Sequence, residues 1–323
     1  MSGINIPADS THLSDQDRAD MIEQYGGTVD SQFAKRSMMR RFINTRTVRG
    51  TDTLIDRRVG RTSLVTLTPG VRPPATPTPF GKVSVTVDTV VLARDNRSML
   101  NEFQIDFNAR RELGMDHGKE LGKFFDEAML IAGIKAAAKT EADSLNGAFG
   151  DGTTATLAAS GDDEDPDKLY EAIATGITEL EEKEVDVEEC AIFVRPTSYD
   201  VLLNNDKLVN QEFSGDNGNF AKGMFKVIKG VPIVSTPRLP RAAIASHPLS
   251  NAGNSNFYNI SATEALTRAL IMHPKSILAG ETIPLTSDVY FDKVEKQWFI
   301  DSWLAFGASA NRGDATYAVR AFD

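Results

Sequence analysis

The chain has 323 residues, 41% hydrophobic and 25% charged, which is enough for a sizeable core in one large or two modest domains. Its net charge of −10 argues against tight sequence-specific nucleic-acid binding, and its single cysteine, Cys190, excludes an intrachain disulfide. The first residues show no basic segment followed by an apolar run, and no apolar stretch approaches the roughly 20 residues of a bilayer span.

In chain order, residues 1–20 are polar and are expected to be disordered. Residues 28–43 carry weak helical character after Gly26-Gly27, with Val29, Phe33, Ser37 and Arg41 on one face. An extended run over Thr51–Thr68 follows, in which Leu54, Ile55, Val59, Leu64, Val65 and Leu67 are interleaved with Arg57, Arg58 and Arg61. In a second run, Lys82–Leu92, Val83, Val85 and Val87 alternate with Ser84, Thr86 and Asp88, the period of a half-exposed strand. Between the runs lie residues 69–81, with five prolines that fix φ and remove donors, so this is a stiffened tip. The two strands and tip form a hairpin arm at 51–92. Such a hairpin is marginal alone in water and calls for a second surface.

A long helix is expected over Leu113–Lys139, with Leu121, Phe124, Phe125, Ala128, Ile131 and Ala132 forming its apolar stripe. Gly114, Gly118 and Gly122 sit four apart on another face, each costing about 1 kcal/mol relative to Ala in a helix. That face either receives another backbone closely or lets the helix bend.

Residues 140–166 form a Gly/Thr/Asp-rich loop. It lacks the GK[ST] and the preceding strand of a phosphate cradle. Pro166 opens a helix to about Lys183, with Leu169, Ile173, Ile177 and Leu180 on one face. AIFVRP (191–196) is a buried-type strand, and TSYDVLL a short helix that Thr197 or Ser198 would cap. After an Asn/Gly/Asp-rich loop, KVIKGVPIVSTPRLP is a strand pair interrupted at Gly230-Val231-Pro232. Residues 241–262 are loop, and Ala265–Met272 and Ile277–Phe306 are extended. The order of elements indicates α+β.

Charge is unevenly spread. Residues 33–61 hold nine Lys/Arg and two Asp, whereas residues 141–190 hold sixteen Asp/Glu and two Lys. The acidic stretch is either a solvated face or a surface that meets the basic arm of another copy.

Little points to chemistry. His12, His117, His247 and His273 lack metal-site spacing, and HExxH, CxxC and GxSxG do not occur. Cys190 opens an apolar strand, the place of a small buried hydrophobe. The acids of 162–167 have no apolar neighbours to raise a pKa, and Arg312-Gly313-Asp314 is a short match to an adhesion tripeptide. No catalytic, cofactor-binding or metal-binding residue is assigned.

Several segments resemble, in order, the major capsid proteins of the HK97-like fold, nearest to the short-tailed phages of the Autographiviridae type. YGGTVDSQFAKRS (25–37) resembles the start of the N-terminal arm, leading to a Gly-Arg…Thr-Pro-Gly step at Gly60–Gly70. FVRPTSYDVLL and GVPIVSTPRLP resemble consecutive parts of the axial domain. ALIMHPKSI and WLAFGASANRGDATYAVRA resemble the return through the peripheral domain and the closing segment, with Arg312-Gly313-Asp314 where relatives often carry Arg-Pro.

The resemblance implies an N-terminal arm at 1–50, an extended loop at 51–95, a peripheral domain with a spine helix at 96–140 and 275–307, and an axial domain at 141–274 and 308–323. It implies a non-enzymatic subunit of pentamers and hexamers in an icosahedral shell around double-stranded DNA. The expected partners are copies of the chain, a separate scaffolding protein, a portal at one vertex and weakly held DNA, with no membrane and no cofactor. Assembly is expected in the bacterial host cytoplasm. The expected intersubunit residues are Phe33, Arg40, Arg41, Arg57, Arg58, Arg61, Val83, Val85 and Val87. Gly114, Gly118 and Gly122 are the hinge candidates, and Leu121, Phe124, Phe125 and Ile131 the spine packing. An encapsulin-type shell subunit, betrayed by encapsulated host proteins, and an unrelated hydrolase, betrayed by a compact monomer, are the rivals.

Overall fold

A computed structural model describes residues 15–73, 75, 77–98, 109–141, 144–205, 208, 218–219 and 224–323. The expectation of disorder over residues 1–20 therefore falls outside the described residues as far as residue 14, as does most of the Asn/Gly/Asp-rich loop after Leu203.

The helices are α1 (Asp15–Arg36), α2 (Met39–Phe42), α3 (Ala109–Ala137), α4 (Pro166–Glu182), α5 (Pro196–Leu203) and α6 (Ala262–Ala265). The first strands are β1 (Thr45–Thr47), β2 (Thr53–Val59), β3 (Phe80–Thr86), β4 (Val90–Ser98), β5 (Thr153–Thr156) and β6 (Ala191–Val194). They are followed by β7 (Gly218–Asn219), β8 (Met224–Phe225), β9 (Val227–Ile228), β10 (Val231–Ser235) and β11 (Thr267–Met272). Two long strands, β12 (Ile277–Asp292) and β13 (Gln297–Ala310), and a closing β14 (Thr316–Arg320) complete the chain. The architecture is α+β. Among the described residues no helix is long and apolar enough to cross a membrane.

The chain forms two compact units. The first comprises Met1–Met38, Thr89–Phe124 and Thr282–Ala305. Here α1 runs straight through Gly26-Gly27 instead of starting after them. Tertiary contact outweighs the weak propensity, because Tyr25, Val29 and Phe33, four apart, are all buried. Tyr25 and Val29 form a small core with Val289 and Ile300, flanked by Leu113, Leu285 and Trp298. Strand β4 pairs antiparallel with β13, from Ser98↔Gln297 to Val90↔Ala305. Across that pairing Arg94 grips the buried Asp301 with Nε at 2.8 Å and Nη2 at 2.6 Å.

The first half of α3 belongs to this unit, and its glycine face receives the backbone of α1. A Cβ on Gly118 would collide with the Val29 carbonyl oxygen, and one on Gly114 would meet the Tyr25 ring at 3.0 Å. At Gly122 the nearest atoms are the Ser37 nitrogen at 3.6 Å and the Phe33 oxygen at 3.7 Å. Close backbone approach is thus one physical reason for the glycine spacing.

The second unit comprises Met39–Asp88, Phe125–Glu281 and Phe306–Asp323. Its centre is a six-stranded sheet in the order β5-β14-β11-β6-β10-β9. All four residues of β6 are buried, as its unbroken apolar run requires of a central strand. It pairs antiparallel with β11 and parallel with β10. Helix α4 lies against this sheet with Leu169, Ile173, Ile177 and Leu180 buried. Asp165 caps it by accepting from the amides of Asp167 and Lys168, and Pro166 fills a first-turn position where no donor is needed. Gly176 admits the Tyr317 ring edge, with Cε1 2.6 Å from where a Cβ would stand.

The second half of α3 departs from a single stripe. Ala128, Met129, Leu130, Ile131, Ala132 and Ile134 are all fully buried, so this half is surrounded by core. Phe125 stacks at a tilt on Phe306, 4.9 Å between ring centres.

Several expected boundaries move for identifiable reasons. Residues 140–166 contain strand β5, paired parallel to β14. Thr197 and Ser198 lie inside α5, whose N-cap is Arg195 with no side-chain cap bond. The β9–β10 turn sits at Lys229-Gly230, both with positive φ (46° and 84°), and Val231-Pro232 are already strand. Ile277–Phe306 divides into neighbouring strands joined by a turn that includes Lys296 at φ 55°.

Candidate assembly surface

The arm is a two-stranded antiparallel hairpin, registered from Thr53↔Thr86 to Val59↔Phe80. It is shorter than the sequence pattern suggests. Strand β2 ends at Val59 because Pro79, which accepts the Gly60 amide (2.8 Å), has no amide to return, and the Arg61 amide turns away to the Leu145 carbonyl (3.0 Å). Residues 61–68 carry no regular structure. The second run breaks after Thr86. There the Val87 amide bonds the Asp52 carbonyl at 2.9 Å, and Asp88 accepts from Asn251 at 2.7 Å. The chain beyond this break is β4, which pairs with β13 and not with β2.

Period-two alternation gives the hairpin two unlike faces. The inner face carries Val83, half-buried, and Val85, which is buried; Val87, just past the strand, is buried as well. A Cβ on Gly307 would meet Val85 at 3.2 Å and Val87 at 3.4 Å, so both valines pack on β13 of the same chain. The outer face carries Ile55, Arg57 and Val59 opposite Phe80, Lys82 and Ser84, all exposed. Phe80 is 77% exposed and Val59, its cross-strand partner, 57%. The tip adds Leu64 at 96%, Leu67 at 74% and Val71 at 61%. Isolated apolar surface residues are ordinary, but here Val59 and Phe80 form an exposed cross-strand pair with Ile55 on the same face, and exposed apolar residues follow in the tip, the kind of surface that marks an interaction site.

The basic residues fall in different places. Arg57 and Arg61 are exposed. Arg40 is half-buried, pairs with Glu281 at 2.8 Å and lies 6.0 Å from the Phe125 ring centre. Arg41 is exposed on α2. Arg58 is buried, and its Nη1 reaches both oxygens of Glu141 at 2.7 and 2.8 Å. Phe33 is buried within the first unit. Of the spine residues, Leu121, Phe125 and Ile131 are buried and Phe124 only partly so. The structure therefore brings Arg57, Arg61 and the outer hairpin face to the surface, and it seats Phe33, Arg58, Val85 and Val87 inside. The outward set Ile55, Val59 and Phe80 was not singled out from the sequence, although the same alternation that marked the valines assigns it to the opposite face.

Potentially reactive groups are held in unreactive settings. Cys190 is buried and its thiol is pushed up to about 12 by burial, then by Asp186 and Glu189, which disfavours the thiolate. His273 is buried, accepts the Lys275 amide on Nδ1 and faces Glu189 through Nε2 at 3.0 Å; burial holds its pKa below the usual histidine value. His117 is likewise lowered by burial, and its Nδ1 lies 2.7 Å from the Tyr25 hydroxyl. The Tyr25 phenol is raised to about 12, chiefly by burial. Among the described residues no cluster of His, Cys, Asp or Glu is arranged to hold a metal ion.

A family model described as Gp10A-like major capsid protein matches residues 106–279, more than half of the chain. A search of curated proteins finds no match. Among solved structures the chain is similar to the bacteriophage PhiM1 mature capsid, at 27% identity and TM-score 0.78, covering 89% of this chain and 87% of that one. It is similar in fold to the capsid of cyanophage P-SCSP1u, at 17% identity and TM-score 0.77, covering 87% of each chain. The Mycobacterium phage Che8 structure matches at 14% identity and TM-score 0.63, over 88% of this chain and 90% of that one. The fold is thus the HK97-like capsid fold, and these matches favour a phage shell over an encapsulin-type compartment. The chain belongs to the Gp10A-like major capsid protein family, whose members build phage shells.

Proposed function

We propose that the chain is the pentamer- and hexamer-forming subunit of an icosahedral shell of a short-tailed, Autographiviridae-type phage, with the β2–β3 hairpin reaching onto a neighbouring copy. The observation that carries this is the exposed apolar row of Ile55, Val59, Phe80, Leu64 and Leu67 on one arm, beside Arg57, Lys82 and Arg61. An extended hairpin of this kind adds buried apolar area at a neighbour, and the basic residues orient it toward an acidic surface. Within the acidic stretch 141–190, Glu171, Glu181, Glu182, Glu184 and Glu188 are exposed and offer such a surface on every copy.

In this proposal residues 1–50 are the N-terminal arm, 51–95 the extended loop, 96–140 and 275–307 the peripheral domain, and 141–274 and 308–323 the axial domain. The subunit has no catalytic role. A separate scaffolding protein directs closure in the host cytoplasm, a portal occupies one vertex, and packaged double-stranded DNA is held weakly, as the chain's negative charge favours. The glycine face of α3 is the proposed point of bending during shell expansion.

Deleting residues 69–81 is the test. The variant is expected to stay soluble and folded while forming no stable shells when expressed with scaffold. Normal particles in electron micrographs would reject the arm.

A further inference from the structure

Beside the packing of Val85 on β13, the far side of the arm is held by residues that follow α3. Glu141 and residues 144–149, between α3 and β5, touch the hairpin at two places. At the first, Glu141 takes both Nη1 bonds of Arg58, and the Phe149 ring lies 4.7 Å from the Arg58 guanidinium carbon. Asn311 completes the grip, its Oδ1 accepting from Arg58 Nη2 at 3.0 Å while its Nδ2 donates to Asp56 at 3.2 Å. At the second place, Leu145 closes the far end. Its carbonyl accepts the Arg61 amide, and a Cβ on Gly81 would meet its side chain at 3.0 Å. Gly60 is required there too, since a Cβ would stand 2.7 Å from the Leu145 oxygen.

Two features set this segment apart from ordinary packing. Arg58 is buried, with a side chain 5% exposed against 11% for Glu141, so a charge pair has been placed inside the protein, with Nη1 serving both carboxylate oxygens while Nε and Nη2 hold Asn311. Leu145 is left-handed, at φ 54°, a conformation that a leucine adopts only when its surroundings impose it, and Asn146 follows at φ 59°, where an asparagine is readily accommodated. A two-stranded hairpin is marginal by itself, so these contacts and the packing of Val85 on β13 together hold it in place.

We propose that Glu141, Leu145 and Phe149 form a latch that aims the arm, with Arg58 and Leu145 as positioning residues for shell assembly. Arg58, which the sequence pattern assigns to the intersubunit contact, instead sets where that contact is made. This inference rests on the arm serving as an intersubunit element. Undoing the latch lets the hairpin pivot about its root without unfolding the six-stranded sheet, and the strained Leu145-Asn146 turn relaxes as it opens.

The experiment is hydrogen exchange on the full-length unassembled subunit, which reads the latch whether or not the arm joins copies. In Arg58→Ala and in Glu141→Gln, amides of β2 and β3 are expected to exchange at least tenfold faster, with β6 and β11 unchanged. Arg58→Lys, which keeps the charge and loses the Nε and Nη2 bonds to Asn311, is expected to fall between the wild type and Arg58→Ala. Leu145→Gly keeps the ion pair, relieves the left-handed turn and removes the plug, and it is expected to speed exchange only around Gly60 and Gly81. Latch variants are further expected to give shells of broadened diameter. Hairpin exchange unchanged in both Arg58→Ala and Leu145→Gly would overturn the latch. If Arg58→Ala fails to fold, Leu145→Gly alone decides the outcome. Normal shells from the 69–81 deletion would instead reject the arm itself.

Discussion

The six-stranded sheet and the β2–β3 hairpin are built from similar residues and end in opposite conditions. In the sheet, β6 buries all four residues between β10 and β11 and under α4. In the hairpin, only one face is buried, and Phe80, Val59 and Ile55 stand in solvent on the other. The sheet completes its burial within one chain. The hairpin leaves the apolar residues of its outer face exposed, the face that the proposed assembly covers with a neighbour. The contrast separates the part of the subunit that folds from the part that assembles, and it can be probed by substitutions expected to damage one and spare the other.

The largest effect is expected in the sheet. Phe193 is fully buried and packs edge-on against Phe42 at 5.2 Å. Phe193→Ala should cost about 3–5 kcal/mol of subunit stability by denaturant titration. A loss below 1 kcal/mol would show that the sheet is not the folding core.

Next comes the glycine face of the first unit. Gly118→Ala forces a Cβ onto the Val29 carbonyl and should cost about 1–3 kcal/mol by overpacking, which the same titration reads. Because this substitution also pushes on α1, it perturbs the α1–α3 contact whether or not the helix bends during expansion.

The buried histidines add a pH dependence to both units. His117, His247 and His273 all have folded pKa values lowered from 6.5, mainly by burial. Between the folded values and 6.5 the unfolded chain binds more protons, so stability is fully present above pH 6.5 and falls as pH drops below it. The denaturation midpoint should be level from pH 7 to 8 and decline below about 6.5. The decline should be shallower in His273→Gln. A midpoint that rises on acidification would contradict the burial of these rings.

The smallest effect on the subunit is expected on the outer hairpin face. Phe80→Ser and Val59→Thr should change subunit stability by no more than about 0.5 kcal/mol, while lowering the yield of closed particles. Equal loss of stability and assembly would erase the distinction between the two regions.

The legibility of the sequence follows the same division. AIFV announced β6, and the spacing of Leu169, Ile173, Ile177 and Leu180 announced α4, because in both the apolar pattern reports burial in the chain's own core. The same pattern misleads at Leu64, Val65 and Leu67. They fall in an apolar run read as extended, yet they are exposed and irregular; an apolar run does not say whether its complement lies in the same chain. Gly26-Gly27 reads as a helix boundary, but α1 passes through because Tyr25 and Val29 are anchored on distant strands. The Arg58 latch was equally hidden. Its partners, Glu141, Phe149 and Asn311, are separated from it by as many as 253 positions, and an arginine in a basic run gives no sign that it will be buried.

The central claim is that the outer hairpin face and tip are covered only on assembly. Hydrogen exchange compared between free subunit and purified shell tests it directly. The account predicts that amides of residues 62–68 exchange freely in the subunit and become strongly protected in the shell, with β6 and β11 protected alike in both. Exchange across 62–68 that is as fast in the shell as in the free subunit would contradict it.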